Sequence, residues 1–454
     1  MRFMVIISVL LFFCVVFYGC EPGYTEEETL DVYNPYNLPE LSEEEALNVL
    51  AFCVSDSYEY AADPIDMVLA RYEMYKSMGV KSMRVMVGGY EMSLGDGAWR
   101  PLLESRVNYL VQTVKSGLKM KLKMETLMAP PNWLANRPGA RLQDQNGRES
   151  IFTISYWYPD IIKYTESAME RIIITIRDAG LINAVAGVCI DFGPAGEPLY
   201  PPAWTQISDG LDGGNGGPEV FWCYGDNAQA DFREKMSQKY GTIQAANSVW
   251  NTNYDSFNGI DVPKPGILTE DQKEMWRDVL VWYRDTKRDF IEKQIQAFMR
   301  VSQKYTNGKI KPIIYIPGTD VRDDWFENAV NGRNDGGNGN VAVMCDSRFL
   351  IEMAKKYNCY LQYTGASDEP EIQYLRAYAA GNGAGTIPMF GENAGVFSEA
   401  KDPGLLVDII KRNGLAGIDY THTRFLFESD RITPSAIYNL FETAMQDLTV
   451  YINN

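Results

Sequence analysis

Short apolar runs alternate with longer segments of helical periodicity along most of the chain. Eight of the runs are rich in aliphatic and aromatic residues and have the length of buried strands. They are NVLAFCVS (48–55), KSMRVMV (81–87), LKMKLKME (118–125), AVAGVCIDF (184–192), IKPIIYI (310–316), CYLQYT (359–364), GTIPMF (385–390) and LAGIDYT (415–421). Apolar residues spaced by three and four predict amphipathic helices between them. The clearest of these helices are 63–80, 100–117, 161–180, 274–305 and 434–452.

Eight strand–helix units in one chain predict an α/β fold, a single (β/α)₈ or TIM barrel with a ring of parallel strands. We expect this domain to occupy 46–454, because neither an internal repeat nor a second domain is visible. The longest connections follow the third, fourth and fifth strands. Loops after the strands lie at the C-terminal face of such a barrel, which is where this fold carries its active sites.

The N-terminus has the pattern of a targeting segment. MRFMVIISVLLFFCVVFYGC contains one Arg, a short apolar run and then Gly19 and Cys20. The run is short for a membrane span and has the form of a signal-peptide core. A small residue before Cys is typical of bacterial lipoprotein processing, so we expect residues 1–19 to be removed and Cys20 to carry lipid in the cell envelope. The acidic, Pro-containing segment 20–45 would then be a flexible tether. The alternatives are an ordinary signal peptide or an uncleaved anchor.

Composition narrows the classes of partner and cofactor. Hydrophobic residues make up 46% of the chain and charged residues 22%, as in ordinary globular proteins. The net charge of -18 argues against binding to nucleic acid or to an anionic membrane surface, since both depend on Lys and Arg. The cysteines left after processing show no C-x-x-C spacing, and His422 is the only histidine. We therefore expect no disulfide framework, no metal site and no cofactor. Ca²⁺ at the loop RNDGGNGN is a weaker interpretation than a solvated loop.

Carboxylates follow several of the predicted strands, namely Asp56, Glu91, Glu125, Glu197 and Glu392. Hydrolysis of a glycosidic bond needs two carboxyl groups on opposite sides of the sugar. Glu197 follows the fourth strand in DFGPAGEPLY, and Glu392 follows the seventh in MFGENAGVF. Those two strands lie on nearly opposite sides of an eight-stranded ring, so this pair can face each other across a substrate.

Structural interpretations of the same residues stand beside the catalytic one. A glutamate at a strand end is more often part of an ion pair or a helix cap, and Glu125 could form a salt bridge within the barrel mouth. Asp191 could hold the backbone amides of its own turn, and APPNW could be a rigid turn. Trp133, Trp157 and Trp204 have side chains suited to stacking on sugar rings, but tryptophans also fill cores.

Two of these motifs, in this order, resemble glycoside hydrolase family 14, the β-amylases. GPAGEPLYP is similar to the family's fourth-strand motif GPAGELRYP, and GENA at 391–394 matches its seventh-strand GENA. In that family the first glutamate is the general acid and the second is the general base. The resemblance therefore implies an acid role for Glu197 and a base role for Glu392, with no cofactor.

Three further stretches resemble the same family and imply sugar-binding residues. LQYTG is similar to LNYTC, whose threonine lies beside the active site and corresponds to Thr364. YTHTRF is similar to FTYLRM, which matches Arg424 to a sugar-binding arginine. VSDSYEYAADP resembles the stretch after the first strand and implies Asp56 as a sugar ligand.

Other parts of the chain depart from the β-amylases. Their third-strand motif HQCGGNVGD, with its catalytically helpful aspartate, is absent. METLMAPPNWLANRPGARLQDQNGRES stands in its place and is similar to the family 42 β-galactosidases, which share the pattern APPxWL…D.NGR. FREKMSQKYGTIQAANSVWNTNYDSF is similar to that family too, although its fourth-strand Asn-Glu pair is missing. These departures bear on the substrate more than on the type of reaction.

Three hypotheses remain open on the sequence. The first is an inverting glycoside hydrolase acting on an α-glucan or a related oligosaccharide. The second is a retaining β-galactosidase-like enzyme that uses the same two carboxylates. The third is a tethered barrel that binds glycans without cleaving them. The presence of both glutamates counts against the third, because a binding protein needs neither an acid nor a base.

Overall fold

Eight parallel strands close into a barrel. The computed structural model describes residues 34–56, 63–88, 104–127, 130–201, 220–317, 320–336, 339–366, 368–392 and 402–454. The barrel strands are β1 (Phe52–Ser55), β2 (Ser82–Gly88), β3 (Lys119–Glu125), β6 (Val185–Cys189), β7 (Pro312–Ile316), β8 (Tyr360–Tyr363), β9 (Met389–Glu392) and β10 (Ile418–Tyr420). They pair in chain order, and β10 pairs with β1 to complete the ring. The prediction of a (β/α)₈ barrel and its eight strands is confirmed.

Helices connect the strands, and one antiparallel strand pair lies outside the barrel. The helices are α1 (Glu43–Leu50), α2 (Ile65–Ser77), α3 (Glu104–Lys115), α4 (Asn132–Ala135), α5 (Ile161–Asp178), α6 (Asp226–Tyr240), α7 (Ile243–Trp250), α8 (Lys273–Thr306), α9 (Asp323–Gly332), α10 (Asn340–Val343), α11 (Ser347–Tyr357), α12 (Glu369–Gly381), α13 (Pro403–Arg412) and α14 (Ala436–Ile452). The extra pair is β4 (Arg141–Gln143) with β5 (Glu149–Ile154).

The predicted start of the first strand at residue 48 was wrong, because residues 48–50 belong to α1. Ser42 caps this helix in a reciprocal capping box with Glu45, so regular structure starts before residue 46. Leu50 packs with Ala186 and Ile313, which lie near the N-terminal ends of their strands. The helix therefore lies at the end of the barrel opposite to the strands' C-terminal ends.

The first of the two segments that resemble family 42 is hydrogen-bonded to the part of the chain that leads into the second. The first contains the hairpin of β4 and β5, where the sequence had predicted only a long loop. Residues shortly before the second segment contact this hairpin: Tyr224 donates its backbone N–H to the carbonyl of Gln143 at 3.1 Å. The amide of Phe221 donates to Gln145 Oε1 at 3.0 Å. These hydrogen bonds join the hairpin region to residues 221–224, and helices α6 and α7 follow directly along the chain.

The region that precedes residue 34 lies outside the described residues. It contains the predicted signal segment, Cys20 and most of the predicted tether, so lipid attachment stays a prediction. Within the described ranges, no helix has the length and apolar character needed to cross a membrane.

Candidate active site

The turn after β6 carries Glu197 and is held by Asp191. One oxygen of the Asp191 carboxylate accepts the N–H of Gly193 at 3.0 Å, and the other accepts the N–H of Leu127 at 2.7 Å. The chain then makes a 3₁₀ turn over Pro194–Gly196 and leaves it at Glu197. The interpretation of Asp191 as the residue that holds these amides is confirmed. It joins the fourth-strand turn to the end of the third strand.

Glycine is required in this turn because its backbone folds tightly on itself. A Cβ on Gly193 would lie 2.6 Å from the carbonyl oxygen of Leu199 and 2.8 Å from that of Glu197. Ala195 has a left-handed backbone with φ of 56°, which costs a non-glycine residue about 1 kcal/mol or more. The turn is thus a strained, closely packed structure with Glu197 at its exit, and such strain is concentrated at functional sites.

Glu197 has an environment that favours its protonated form. Thr364, which follows β8, donates its hydroxyl to Glu197 Oε1 at 2.5 Å. Burial raises the pKa of Glu197 to about 6, and the negative charge of Glu392 adds to this effect. The hydrogen bond from Thr364 and the charge of Lys123 act in the opposite direction but are outweighed. A carboxyl group with such a pKa keeps its proton under mildly acidic conditions, as a general acid must.

Glu392, the last residue of β9, has an ion-paired environment instead. Its side chain is buried, and its Oε1 lies 2.8 Å from Arg84 Nη1 of strand β2. Gln362 Nε2 donates a hydrogen bond to the other carboxylate oxygen. The backbone carbonyl of Glu392 accepts the N–H of Ala366 at 3.1 Å. Both oxygens of this carboxylate are therefore held by donors, which fixes its orientation.

Strand β8 links the two glutamates. Gln362 and Thr364 are two residues apart, so their side chains point to the same face of the strand. Thr364 contacts Glu197, and Gln362 contacts Glu392. The structure thus brings Glu197, Thr364 and Glu392 together at the C-terminal ends of the fourth, sixth and seventh barrel strands.

A buried set of charges lies directly behind Glu392. Asp419 of β10 is fully buried and accepts from Lys121 Nζ at 2.9 Å, Arg84 Nη1 at 3.2 Å and Gln362 Nε2 at 3.1 Å. Burial opposes ionisation of Asp419, but Arg84 and Lys121 outweigh it and hold the pKa of this carboxyl below its usual value. The two positive charges of Arg84 and Lys121 thus balance the carboxylates of Asp419 and Glu392 inside the barrel.

Sequence analysis did not identify Arg84, Lys121, Gln362 or Asp419 as part of the site. The available signal was the presence of charged residues inside otherwise apolar strands, as in KSMRVMV and LAGIDYT. A charge in a buried strand needs a partner, and such partners come from other strands of the ring. The sequence shows the charges but not which strands face each other.

Asp56 and Arg424, two further predicted sugar ligands, differ in their burial and contacts. Asp56 is buried, and its carboxylate forms an ion pair with Arg71 at 3.2 Å. Arg424 is exposed in a short 3₁₀ turn after β10, and its guanidinium carbon lies 5.0 Å from the centre of the Phe425 ring. The sugar-binding roles of Asp56 and Arg424 stay predictions.

The structure describes two of the three predicted tryptophans and the strand-end carboxylate Glu125. Trp133 of α4 is half-buried and packs edge-on against Tyr164, and Trp157 is half-buried against Trp282 and Tyr200. Glu125 forms the predicted salt bridge, with Lys123 Nζ 3.2 Å from its carboxylate. Three further predicted positions lie outside the described residues: Glu91, Trp204 and the end of the GENA motif at 393–394. In the part of the chain that the structure describes, no cluster of three or more His, Cys, Asp or Glu side chains is arranged to hold a metal ion.

Comparisons with known proteins point to both families that the motifs resemble. The family 42 β-galactosidase model matches residues 215–315. The thermophilic β-amylase of Thermoanaerobacterium thermosulfurigenes is 28% identical over 168 residues, which are 34% of this chain and 28% of that protein. The β-galactosidase of Thermus thermophilus is 26% identical over 193 residues, which are 41% of this chain and 25% of that protein. The matched regions thus span about a quarter of the length of either relative.

The fold is shared with a solved β-amylase domain. The crystal structure of the β-amylase catalytic domain from Paenibacillus polymyxa has a TM-score of 0.71 to this chain, with 18% sequence identity. The match covers 88% of this chain and 99% of that domain. The partial resemblance to both β-amylases and family 42 β-galactosidases is confirmed, and the barrel is of the kind found in these glycosidases.

Proposed function

We propose that this protein hydrolyses O-glycosidic bonds, with Glu197 as the general acid and Glu392 as the general base. The observation that carries this proposal is the contrast between two carboxyl groups at one barrel mouth. Burial raises the pKa of Glu197 to about 6, whereas Glu392 is ion-paired with Arg84 at 2.8 Å. A carboxyl group with a raised pKa, next to a second one held by a guanidinium group, is the arrangement expected of an acid and base pair.

The reaction that this pair supports is a single displacement. Glu392 accepts a proton from a water molecule, whose oxygen attacks the anomeric carbon from one face of the sugar. The bond between that carbon and the glycosidic oxygen breaks on the other face. Glu197 gives its proton to the departing oxygen, which leaves as an alcohol. The two carboxyl groups regain their starting states when one proton moves from Glu392 to Glu197 through solvent.

Inversion of the anomeric centre and an α-glucan substrate are the finer parts of the proposal. They are supported by the motifs GPAGE and GENA and by the likeness to β-amylases. An inverting pair needs room for the water, with carboxyl groups roughly 6.5–9.5 Å apart, whereas a retaining pair is about 5–5.5 Å apart. Thr364, Arg424, Asp56, Trp133 and Trp204 are the residues we propose to hold the sugar chain.

A second candidate is a retaining β-galactosidase-like reaction, in which Glu392 attacks the sugar directly. The family 42 match over 215–315, together with the hairpin that packs beside it, favours this candidate. Its stereochemistry separates it from the first, because two successive displacements restore the starting configuration.

The experiment that tests the proposal is turnover of α-glucans and β-galactosides by wild type and by Glu197→Gln. We expect wild type to cleave at least one of these and the variant to lose 10²-fold to 10⁴-fold in kcat, about the usual contribution of a general acid. The loss should shrink on aryl glycosides with good leaving groups, which need less protonation. Glu234→Gln, an exposed glutamate of α6, is the matched control and should keep full activity. Tight glycan binding without turnover by wild type would instead support a binding protein.

Attachment to the cell envelope through lipid on Cys20 is proposed as well, from the residues Gly19-Cys20 that follow the apolar run. Substituting Cys20→Ala should abolish labelling by a fatty-acid precursor and change the location of the protein. Unaltered membrane attachment with an intact N-terminus would point to a plain anchor.

A further inference from the structure

Helix α8 runs along the back of the turn that carries Glu197. Tyr283, Lys287 and Gln294 are spaced by four and seven residues, which places their side chains on one face of the helix. The carbonyl oxygen of Tyr283 accepts the hydroxyl of Tyr200 at 3.0 Å, just beyond the turn. Gln294 Nε2 donates to the carbonyl oxygen of Asp191 at 3.3 Å, just before it. The helix thus contacts the chain on both sides of the turn.

Lys287 joins the two ends of this turn directly. Its Nζ donates to the carbonyl oxygen of Phe192 at 2.6 Å and to that of Leu199 at 3.1 Å. Glu197 lies between these two anchor points. The ammonium also lies 3.8 Å from the centre of the Tyr156 ring, and the Tyr156 hydroxyl donates to the same Leu199 oxygen at 3.3 Å.

An ammonium group at this position is costly. Lys287 is buried, and the acceptors of its Nζ among the described residues are backbone carbonyl oxygens. Burial lowers the pKa of Lys287 well below its usual value, and the charge of Asp191 offsets this only in part. A buried lysine without an acidic partner is rare because an apolar side chain of similar shape avoids the desolvation penalty. The contribution of this lysine is its two hydrogen bonds to carbonyl oxygens of the turn.

We propose that Lys287 is a positioning residue for the general acid. By binding the carbonyls of Phe192 and Leu199, it fixes the distance between the ends of the turn and so the aim of the Glu197 carboxyl group at the leaving oxygen. Lys287 contacts neither of the two glutamates and acts only through the turn. The inference rests on the proposed acid role of Glu197.

Lys287→Met tests this role, since the variant keeps an unbranched side chain only one atom shorter and removes the donors of Nζ. We expect kcat to fall 10-fold to 100-fold, because a shift of about 1 Å in a reacting group can cost 10²-fold. KM should change less than about 3-fold, and the loss should be smaller on aryl glycosides with good leaving groups. Lys293→Met is the matched control: Lys293 is an exposed lysine of the same helix that is paired with Asp289, and its variant should match wild type.

A double-mutant cycle separates positioning from general damage. In a Glu197→Gln background there is no acid proton to aim, so Lys287→Met should cause no further loss of kcat. The inference would be contradicted if Lys287→Met lowered kcat as much in the Glu197→Gln background as in wild type. It would also be contradicted if Lys287→Met kept wild-type kcat while Glu197→Gln was impaired. Full activity of Glu197→Gln itself would instead end the proposed function.

Should Lys287→Met not fold, Tyr156→Phe carries the same test. It removes only the hydroxyl that donates to Leu199. A smaller fall in kcat that disappears in the Glu197→Gln background would support positioning by this cluster. A fall that persists there, or no fall at all, would count against it.

Discussion

Glu197 and Glu392 are the same residue type in two different surroundings. Glu197 has a hydroxyl donor and a half-buried position, whereas Glu392 has a guanidinium and an amide donor on its two oxygens. Chemistry that needs one protonated and one ionised carboxyl group at the same pH depends on such a difference. The division of roles that we propose for the two glutamates therefore rests on their neighbours.

The raised pKa of Glu197 predicts a pH dependence of both rate and stability. The general acid must be protonated, so kcat/KM should fall as pH rises through about 6. Because the folded state binds this proton more tightly than the unfolded state, the free energy of unfolding should fall between pH 4.5 and about 6, by at most about 2 kcal/mol.

Glu197→Gln should remove this pH dependence. The stability of the variant relative to wild type should be higher at pH 7 than at pH 4, as measured by urea denaturation at both values. An equal stability difference at the two pH values would contradict the raised pKa.

Among single residues, sequence motifs identified Glu197, Glu392 and Thr364, which the structure brings together. They did not lead to Arg84, Lys121 or Asp419. The motif residues are found by their order along the chain, whereas the charged set exists only when distant strands meet in the ring. A pairing across the barrel leaves no local pattern that could be recognised in the sequence.

The turn of residues 191–199 is the element on which the site depends. Asp191 holds its start, Lys287 binds both of its ends, and a close backbone approach at Gly193 fixes its shape. Each contact orders the main chain on either side of Glu197. The turn should therefore respond to small changes that leave the glutamate itself intact.

Gly193→Ala is predicted to reduce kcat at least 10-fold. Its added Cβ would lie 2.6 Å and 2.8 Å from two backbone oxygens, so the turn must shift and carry Glu197 with it. Gly259→Ala is the control, because nothing lies within 4 Å of a Cβ there. Steady-state kinetics of both variants provides the comparison. Wild-type kcat in Gly193→Ala would show that the turn tolerates movement.

Element prediction succeeded for the strands that alternate with amphipathic helices and failed where structure depends on remote partners. The eight barrel strands are buried runs that the sequence shows directly. The hairpin of β4 and β5 is short and carries charged residues, and it is held through contacts such as Tyr224 to Gln143. The start of β1 was misplaced because the apolar residues of α1 run directly into it.

On the scale of the whole molecule, the two family resemblances occupy different parts of one fold. The β-amylase-like motifs lie at strand ends around the mouth, whereas the family 42-like segments form the hairpin and the helices beside it. Helix α8 belongs to the second part and carries Lys287, which binds the turn of the first. A likeness to two families is thus compatible with one site.

The anomeric configuration of the first-formed product tests the central claim most directly. Wild-type protein would be incubated with a cleaved α-glucan or galactoside, and the sugar anomers followed by ¹H NMR before mutarotation equilibrates them. With Glu197 as acid and Glu392 as base on water, the account predicts a product of inverted configuration, lost in Glu392→Gly. A product of retained configuration would contradict the base role of Glu392 and make it a nucleophile.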